Sequence, residues 1–267
     1  MSFAQDICPG IAYFEGSIRK PRLRLWALRI DLTEPTLRIV VSERAPVDGV
    51  IREGIIPSTT VSSFVRRYDC LAGINTNPFR PASTKEGEER SIVGITVSAG
   101  TMVALPCPQY DALVFYPGGK AVILSQAALS ATIESERNGS SRIMHAVGGF
   151  YAVLRDGMLT EAALAERGQV RYPRSAAGLS GDGVTLYLLV IDGRRAGSIG
   201  ATESEIGVIL KQLGATDGIN FDGGGSTSLA LQYPDGTVRP VNIPIHGGIP
   251  GRERGVATCL GIAPDFP

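Results

Sequence analysis

Three consecutive glycines stand between an aspartate and two hydroxyl residues in Asp222-Gly223-Gly224-Gly225-Ser226-Thr227. The glycines allow backbone conformations barred to other residues and let a ligand approach the main chain closely. Successive backbone N–H groups in such a turn can form a nest for an anion. Ser226 and Thr227 add hydroxyl donors, so a phosphate or sugar oxygen is a natural guest. The segment is not a P-loop, because Gly-x-x-x-x-Gly-Lys-Ser/Thr is absent. A glycine-rich turn whose aspartate bonds its own loop explains the same residues about as well. Asp192, in Asp192-Gly-Arg194, has the same two readings, because Asp-Gly after a strand is a frequent turn. Two carboxyl groups on one edge can divide acid and base roles in glycoside hydrolysis, and their spacing then decides inverting against retaining chemistry.

Other side chains are single candidates. Arg174 stands just before an apolar run, and a guanidinium offers phosphate a planar, bidentate grip. Arg194, Arg195, Arg252 and Arg254 could do the same, although a lone arginine is more often a solvated charge. Asn75 could orient a sugar hydroxyl or merely cap a turn. His246 could act as acid or base near neutral pH, but a lone loop histidine is more often incidental. Glu205 is explained by a Thr202-x-x-Glu205 capping box, which outweighs a catalytic role. Paired aspartates also ligate Ca²⁺ or Mg²⁺, so no cofactor is assigned and a divalent cation is left open. No multi-histidine metal site is expected from two histidines, nor a zinc or redox pair from cysteines at 8, 70, 107 and 259. Single buried thiols are expected, with one or two disulfides if the protein is exported.

The elements that must position these groups follow from periodicity. Segment 184–191 is a continuous apolar run, as in a strand buried on both faces. Thr202 and Glu205 start a helix with Ile206, Ile209, Leu210 and Leu213 on one face, and Gly214 stops it. A short strand at 218–221 then runs into Asp222. If both strands join one sheet, they should run parallel through a right-handed crossover. Asp192 and Asp222 would then share the carboxyl edge, where open α/β sheets place ligands. Further strands are expected at 23–30, 37–41, 71–74, 92–97, 102–105, 112–116 and 121–124. Segments 145–154 and 158–159 flank the hairpin signal Arg155-Asp156-Gly157. Ser58, Thr59 or Thr60 caps a helix with Val61, Phe64, Val65 and Tyr68 on one face. Segment 81–90 is polar and aperiodic, an exposed loop or a lid.

The bulk composition sets limits. The 267 residues are 43% apolar and rich in glycine (33) and proline (17), which favours a strand-rich α+β fold with few helices in one domain, 1–267. Lys plus Arg and Asp plus Glu balance at 26 each, so no general field for nucleic acid or anionic membrane exists. No segment reaches the length of a membrane-spanning helix. The start has neither the basic region nor the apolar stretch of a leader, which fits a cytoplasmic protein or an exported one already trimmed. No Gly-x-Ser-x-Gly elbow is present, against a serine α/β-hydrolase.

In order along the chain, Asn75 with Phe79, segment 145–151, Arg174-Ser-Ala-Ala-Gly178, Asp192-Gly-Arg194, Glu205, Asn220-Phe-Asp-Gly-Gly-Gly-Ser226, Asn242-x-Pro244 and Arg254 form a series of motifs. This series resembles the phosphodiester glycosidase family over about 71–262. The resemblance implies a strand-rich mixed fold and cleavage between an anomeric carbon and a phosphate, giving a free sugar and a phosphomonoester. It implies Asp222, Asp192, Arg174 and Glu205 as catalytic candidates. It implies Asn75, Asn220, Gly223, Gly224, Gly225, Ser226, Asn242 and Arg254 as binding candidates, beside Thr227 and His246, which are read from the residues themselves. Thr76, Asn77 and Pro78 depart from the family's Asn-Gly-Gly-Phe-Phe segment, and Ser175 replaces a threonine. A bacterial-type member acting on glycans or their phosphodiesters is the implied kind. A non-catalytic glycan or polyanion binder is the alternative reading.

Overall fold

The apolar run at 184–191 becomes the strand Thr185–Ile191, buried along nearly its whole length. It has this character because both faces are covered. Leu186, Leu188 and Val190 enter one core, while Tyr187, Leu189 and Ile191 enter another. The computed structural model describes residues 2–82, 85–130 and 143–265.

The strands that bear on the site are, in chain order, β1 (Leu23–Asp31), β2 (Ala72–Asn75), β3 (His145–Gly148), β4 (Ala152–Arg155), β5 (Arg174–Leu179), β6 (Thr185–Ile191), β7 (Asp217–Asn220), β8 (Leu229–Gln232) and β9 (Cys259–Pro264). The helices are α1 (Val61–Arg67) and α2 (Glu203–Leu213). An eight-stranded sheet has the order Ser2–Cys8, Ile11–Ile18, β1, β6, β5, β7, β4, Met158–Leu159. Each neighbouring pair in it is antiparallel. A five-stranded sheet contains β3, and another contains β8, β2 and β9 as neighbours. The fold is strand-rich α+β, as the composition indicates.

One face of the large sheet packs on α2 through Ala176, Leu189, Ile206, Ile209 and Leu210. Its other face meets the two smaller sheets through Leu28, Leu188, Ile219, Leu113, Ile74 and Leu260. Helix α1 covers the far side of the β2 sheet with Phe64 and Val65. Its N-cap is Thr60, whose Oγ1 accepts the Ser63 N–H at 3.2 Å. In α2 the reciprocal capping box of Thr202 and Glu205 is formed, and Gly214 ends the helix at φ +113°.

The strand-helix-strand unit differs in one respect from a simple crossover. β6 and β7 run the same way, but antiparallel β5 lies between them. Arg174 pairs with Ile191, and Ala176 with Asn220. The carboxyl ends of β6 and β7 and the amino end of β5 therefore lie on one edge. Two strand spacings, about 10 Å, separate β6 from β7.

Two expected strands are divided. Segment 145–154 splits into β3 and β4, which belong to different sheets. Gly149 makes the crossing, where a Cβ would lie 2.7 Å from the Asn220 carbonyl. Segment 92–97 splits at Gly94, φ +91°, into Glu89–Ile92 and Thr96–Ser98. Asp156 and Gly157 both have positive φ and close the β4 hairpin, as the residue pair requires. The described residues of the polar segment 81–90 are largely exposed, but Arg90 is 1% exposed against the Phe79 ring. Glu86 bonds the N–H of Thr60 and the hydroxyl of Thr59, tying this segment to the start of α1.

Candidate active site

Asp222 follows β7 directly. Its N–H donates to the Thr76 carbonyl at 2.9 Å, and its own carbonyl accepts the Asn75 amide at 2.6 Å. Asn75 Oδ1 accepts the Ser175 hydroxyl at 2.7 Å and the Ser228 N–H at 3.2 Å. Asn75 is fully buried. It therefore pins both ends of the glycine loop rather than presenting an amide to a sugar hydroxyl.

The loop does not offer the open row of N–H donors that its glycines suggest. The Gly224 N–H donates to the Pro173 carbonyl at 2.8 Å. Ser226 and Thr227 donate back to Gly223 and Gly224 in a short 3₁₀ turn. The Gly223 N–H acts on the Asp222 carboxylate, favouring its ionised form. The glycines serve close approach instead. A Cβ on Gly223 would lie 2.7 Å from the Pro173 carbonyl, on Gly224 3.0 Å from Arg194 Nη2, and on Gly225 2.5 Å from Arg254 Nη2. Gly224 also has φ +63°, where a side chain is strained. Two guanidinium groups thus lie directly on the loop backbone.

Arg254 donates from Nη1 to the Ser226 hydroxyl at 3.2 Å and from Nε to His246 Nδ1 at 3.0 Å. The Ser226 hydroxyl also acts on the Asp222 carboxylate, favouring its ionised form. One hydroxyl therefore interacts with both an acid and a guanidinium. Burial pushes the Asp222 carboxyl up to about 6, against the lowering effects of Ser226, Arg254 and the Gly223 N–H. Burial lowers His246, and the neighbouring Arg254, Arg252 and Arg194 lower it further. Among the described residues, neither Arg194 nor Arg254 forms an ion pair. The Thr227 hydroxyl is enclosed with no partner among them.

Asp192 lies on the same edge at 2% exposure. Its Oδ1 accepts the Ile243 N–H at 3.0 Å and the Asn242 amide at 3.3 Å, and its Oδ2 accepts Arg195 at 3.1 Å. Burial raises its carboxyl above the usual range. Asn242 continues the chain of bonds, donating to the Thr227 carbonyl at 3.1 Å and accepting the Leu229 N–H at 3.0 Å. Asp192 and Asn242 thus tie segment 242–243 to the exit of the glycine loop.

Arg174 sits at the edge but points its donors inward. They reach the carbonyls of Ala201 and Val170 and the Glu203 carboxylate at 3.2 Å. Expected at a phosphate, Arg174 is here 7% exposed, with its guanidinium held in this buried pair on the α2 face of β5. Asn220 donates to the same Glu203 oxygen at 3.2 Å. Asn220 Oδ1 and Glu203 Oε2 are buried without a partner among the described residues. Both Glu205 oxygens are occupied, by Arg171 at 2.6 and 2.8 Å and by the Thr202 N–H at 3.0 Å. Glu205 is therefore a capping and pairing group here.

Sequence reasoning missed Glu203. Its signal was present, since Glu203, Ile206 and Leu210 stand at i, i+3 and i+7 and share the buried stripe. It also missed Pro173 and Ser175, which act through a carbonyl and a hydroxyl that no motif marks. Thr76 and Asn77 are buried. They bond Thr258, Gly148 and the carbonyls of Val93, Gly94 and Ile95, so they join the sheets behind the loop. A cavity of about 350 Å³ lined by Arg38, Phe115, Lys120 and His145 lies elsewhere and includes none of the loop residues. Among the described residues, no three His, Cys, Asp or Glu gather into a metal-ligand cluster. No described helix is long and apolar enough to cross a membrane.

Known proteins share this architecture. A protein of unassigned function from Synechocystis superposes with a TM-score of 0.66 at 14% identity, covering 97% of this chain. This chain spans 63% of that protein's length. The zebrafish N-acetylglucosamine-1-phosphodiester alpha-N-acetylglucosaminidase catalytic domain, auto-inhibited by its pro-peptide, gives a TM-score of 0.67 at 19% identity over 97% of this chain and 85% of that one. A Burkholderia pseudomallei protein described as exported gives 0.62 at 17% identity, over 91% and 74%. No curated protein sequence matches the chain. The family profile for phosphodiester glycosidases matches residues 68–263, so the chain belongs to the phosphodiester glycosidase family.

Proposed function

We propose that the protein hydrolyses a glycosyl-1-phosphodiester, adding water across the bond to give a free sugar and a phosphomonoester. The observation that carries this reading is Arg254, which donates to the Ser226 hydroxyl and, with that hydroxyl, acts on the Asp222 carboxylate. A carboxyl raised to about 6 stands beside a cation free of any ion pair among the described residues. That arrangement suits a carboxylate at an anomeric carbon and a guanidinium on the adjoining phosphate.

Arg254 and Arg194 hold the phosphate and stabilise its charge as it leaves. A phosphate departs readily, so stabilising the oxocarbenium-like state matters more than protonating the leaving group. Asp222 acts in its ionised form, as nucleophile or as base toward water. Asp192 and Asn242 position the loop exit, and the buried Arg174–Glu203 pair fixes the amino end of β5. The name of the zebrafish relative supports a glycosyl phosphodiester as the substrate class. The sugar is left open, because Thr76 and Asn77 are turned inward.

The test is incubation with a UDP-linked glycosyl phosphate and assay for free sugar. Asp222→Asn should lose at least about a hundredfold in turnover, the low end for a positioned acid or base. Near-normal turnover in a folded Asp222→Asn protein would sink the assignment. Saturable binding without product would favour a glycan binder, and activity abolished by EDTA would require a divalent cation in the mechanism.

A further inference from the structure

The Arg254–His246 contact constrains the protonation of the ring. A guanidinium has only N–H donors, so the nitrogen facing Arg254 Nε at 3.0 Å must offer a lone pair. That nitrogen is Nδ1. The ring's single proton therefore sits on Nε2, and the ring is neutral. A doubly protonated ring would set two donors and two positive charges head to head.

Every charge acting on this ring favours the neutral form. Arg254 and Arg252 come from its own hairpin, and Arg194 from the loop after β6. The carboxylate of Asp222 acts on Arg254. His246 is 6% exposed, on a strand that packs against the 3₁₀ turn Gly224–Ser226. Its Nε2 is enclosed and has no acceptor among the described residues. Without an acceptor at Nδ1, the half-buried Arg254 would hold an unmet Nε–H and would turn to satisfy it.

We propose that His246 is a positioning residue for anion recognition: through Nδ1 it takes the Arg254 Nε–H and so holds both terminal amino groups of Arg254 over Gly225 and Ser226. The proposal rests on the anion reading given above. It assigns the histidine no proton transfer. It also makes the grip of Arg254 dependent on a neutral ring, so acidification weakens the site when the ring takes a second proton.

The test uses sulfate, which does not titrate in the working range, with the full chain and two variants. His246→Asn keeps an acceptor at the δ position and His246→Leu does not. Sulfate binding should weaken about tenfold or more in the Leu variant and stay within about threefold in the Asn variant, the effect of one charge-assisted hydrogen bond. On acidification, wild-type affinity should fall along a limb that His246→Asn lacks, while Asp222 titrates in both. In the ¹⁵N spectrum, the histidine signal absent from His246→Asn should show an unprotonated Nδ1 and a protonated Nε2 at neutral pH. Equal weakening in the two variants, or a proton on Nδ1, overturns the positioning role while leaving the anion site in place. A wild-type protein that binds no sulfate overturns the anion reading, and the positioning role with it.

Discussion

Asp222 links catalysis to stability through one pKa. Its carboxyl is raised to about 6 by burial. If it acts ionised, kcat/KM should fall on the acid side with a midpoint near 6, and a pH–rate profile reads this directly. The effect on folding runs the other way. The folded protein holds this proton more tightly than the unfolded chain, whose aspartate titrates near 3.8. Stability from this group is therefore fully present below the unfolded value and is lost as pH rises toward 6. Asp222→Asn should raise the melting temperature by a few degrees at pH 7–8, and the gain should vanish by about pH 4. A melt series over that range checks both limbs. At Gly225, alanine would drive a Cβ to 2.5 Å from Arg254 Nη2. Gly225→Ala should weaken sulfate or phosphate binding about tenfold while the protein stays folded, as calorimetric titration would show.

At the scale of elements, the capped helix and the anchoring asparagine separate structure from chemistry. Glu205 completes the α2 capping box and pairs with Arg171. Glu205→Gln should lower stability by about 1 kcal/mol and leave the shape of the pH–rate profile unchanged; a shifted acid limb would assign Glu205 a chemical role. Asn75 joins Asp222, Ser175 and Ser228. Asn75→Ala should cost about 2 kcal/mol or more, measured by denaturant unfolding, because it strands several buried partners. The legible elements were those with long periodic signals. β6 and α2 could be read to within a residue, β6 from an unbroken apolar run covered on both faces and α2 from an apolar stripe between its caps. The intervening β5 was not legible, because Arg174-Ser-Ala-Ala-Gly178 is small and polar and gains its burial from neighbours. The division of 145–154 was hidden for the same reason: the crossing at Gly149 depends on a carbonyl from distant β7.

At the scale of the whole molecule, three of the hydrophobic cores join the three larger sheets to α1 and α2, and the site lies at the carboxyl ends of β6 and β7 and the amino end of β5. The position of Asp222 on this edge could be read from sequence, because a strand running into Asp-Gly-Gly-Gly can end in few ways. What could not be read was which donors face outward. Arg174 turns in to Glu203, while Arg194 and Arg254 lie on the loop. That choice depends on contacts between residues distant in the chain. The four cysteines are free, with Cys70 and Cys259 buried and raised by burial. A reductant should therefore leave the melting temperature unchanged, and a thiol reagent should reach Cys8 and Cys107 well before the other two.

The glycine triplet also bears on how the protein can change. A side chain at each glycine would meet a different neighbour: the Pro173 carbonyl at 223, Arg194 at 224 and Arg254 at 225. At 223 the backbone would have to move, whereas at 224 and 225 a guanidinium would be pushed off the loop. A saturation library should therefore show three adjacent columns almost empty of tolerated residues, each failing in its own way. Single-step drift cannot easily widen this loop, so new substrates in the lineage would be reached through the segments around it.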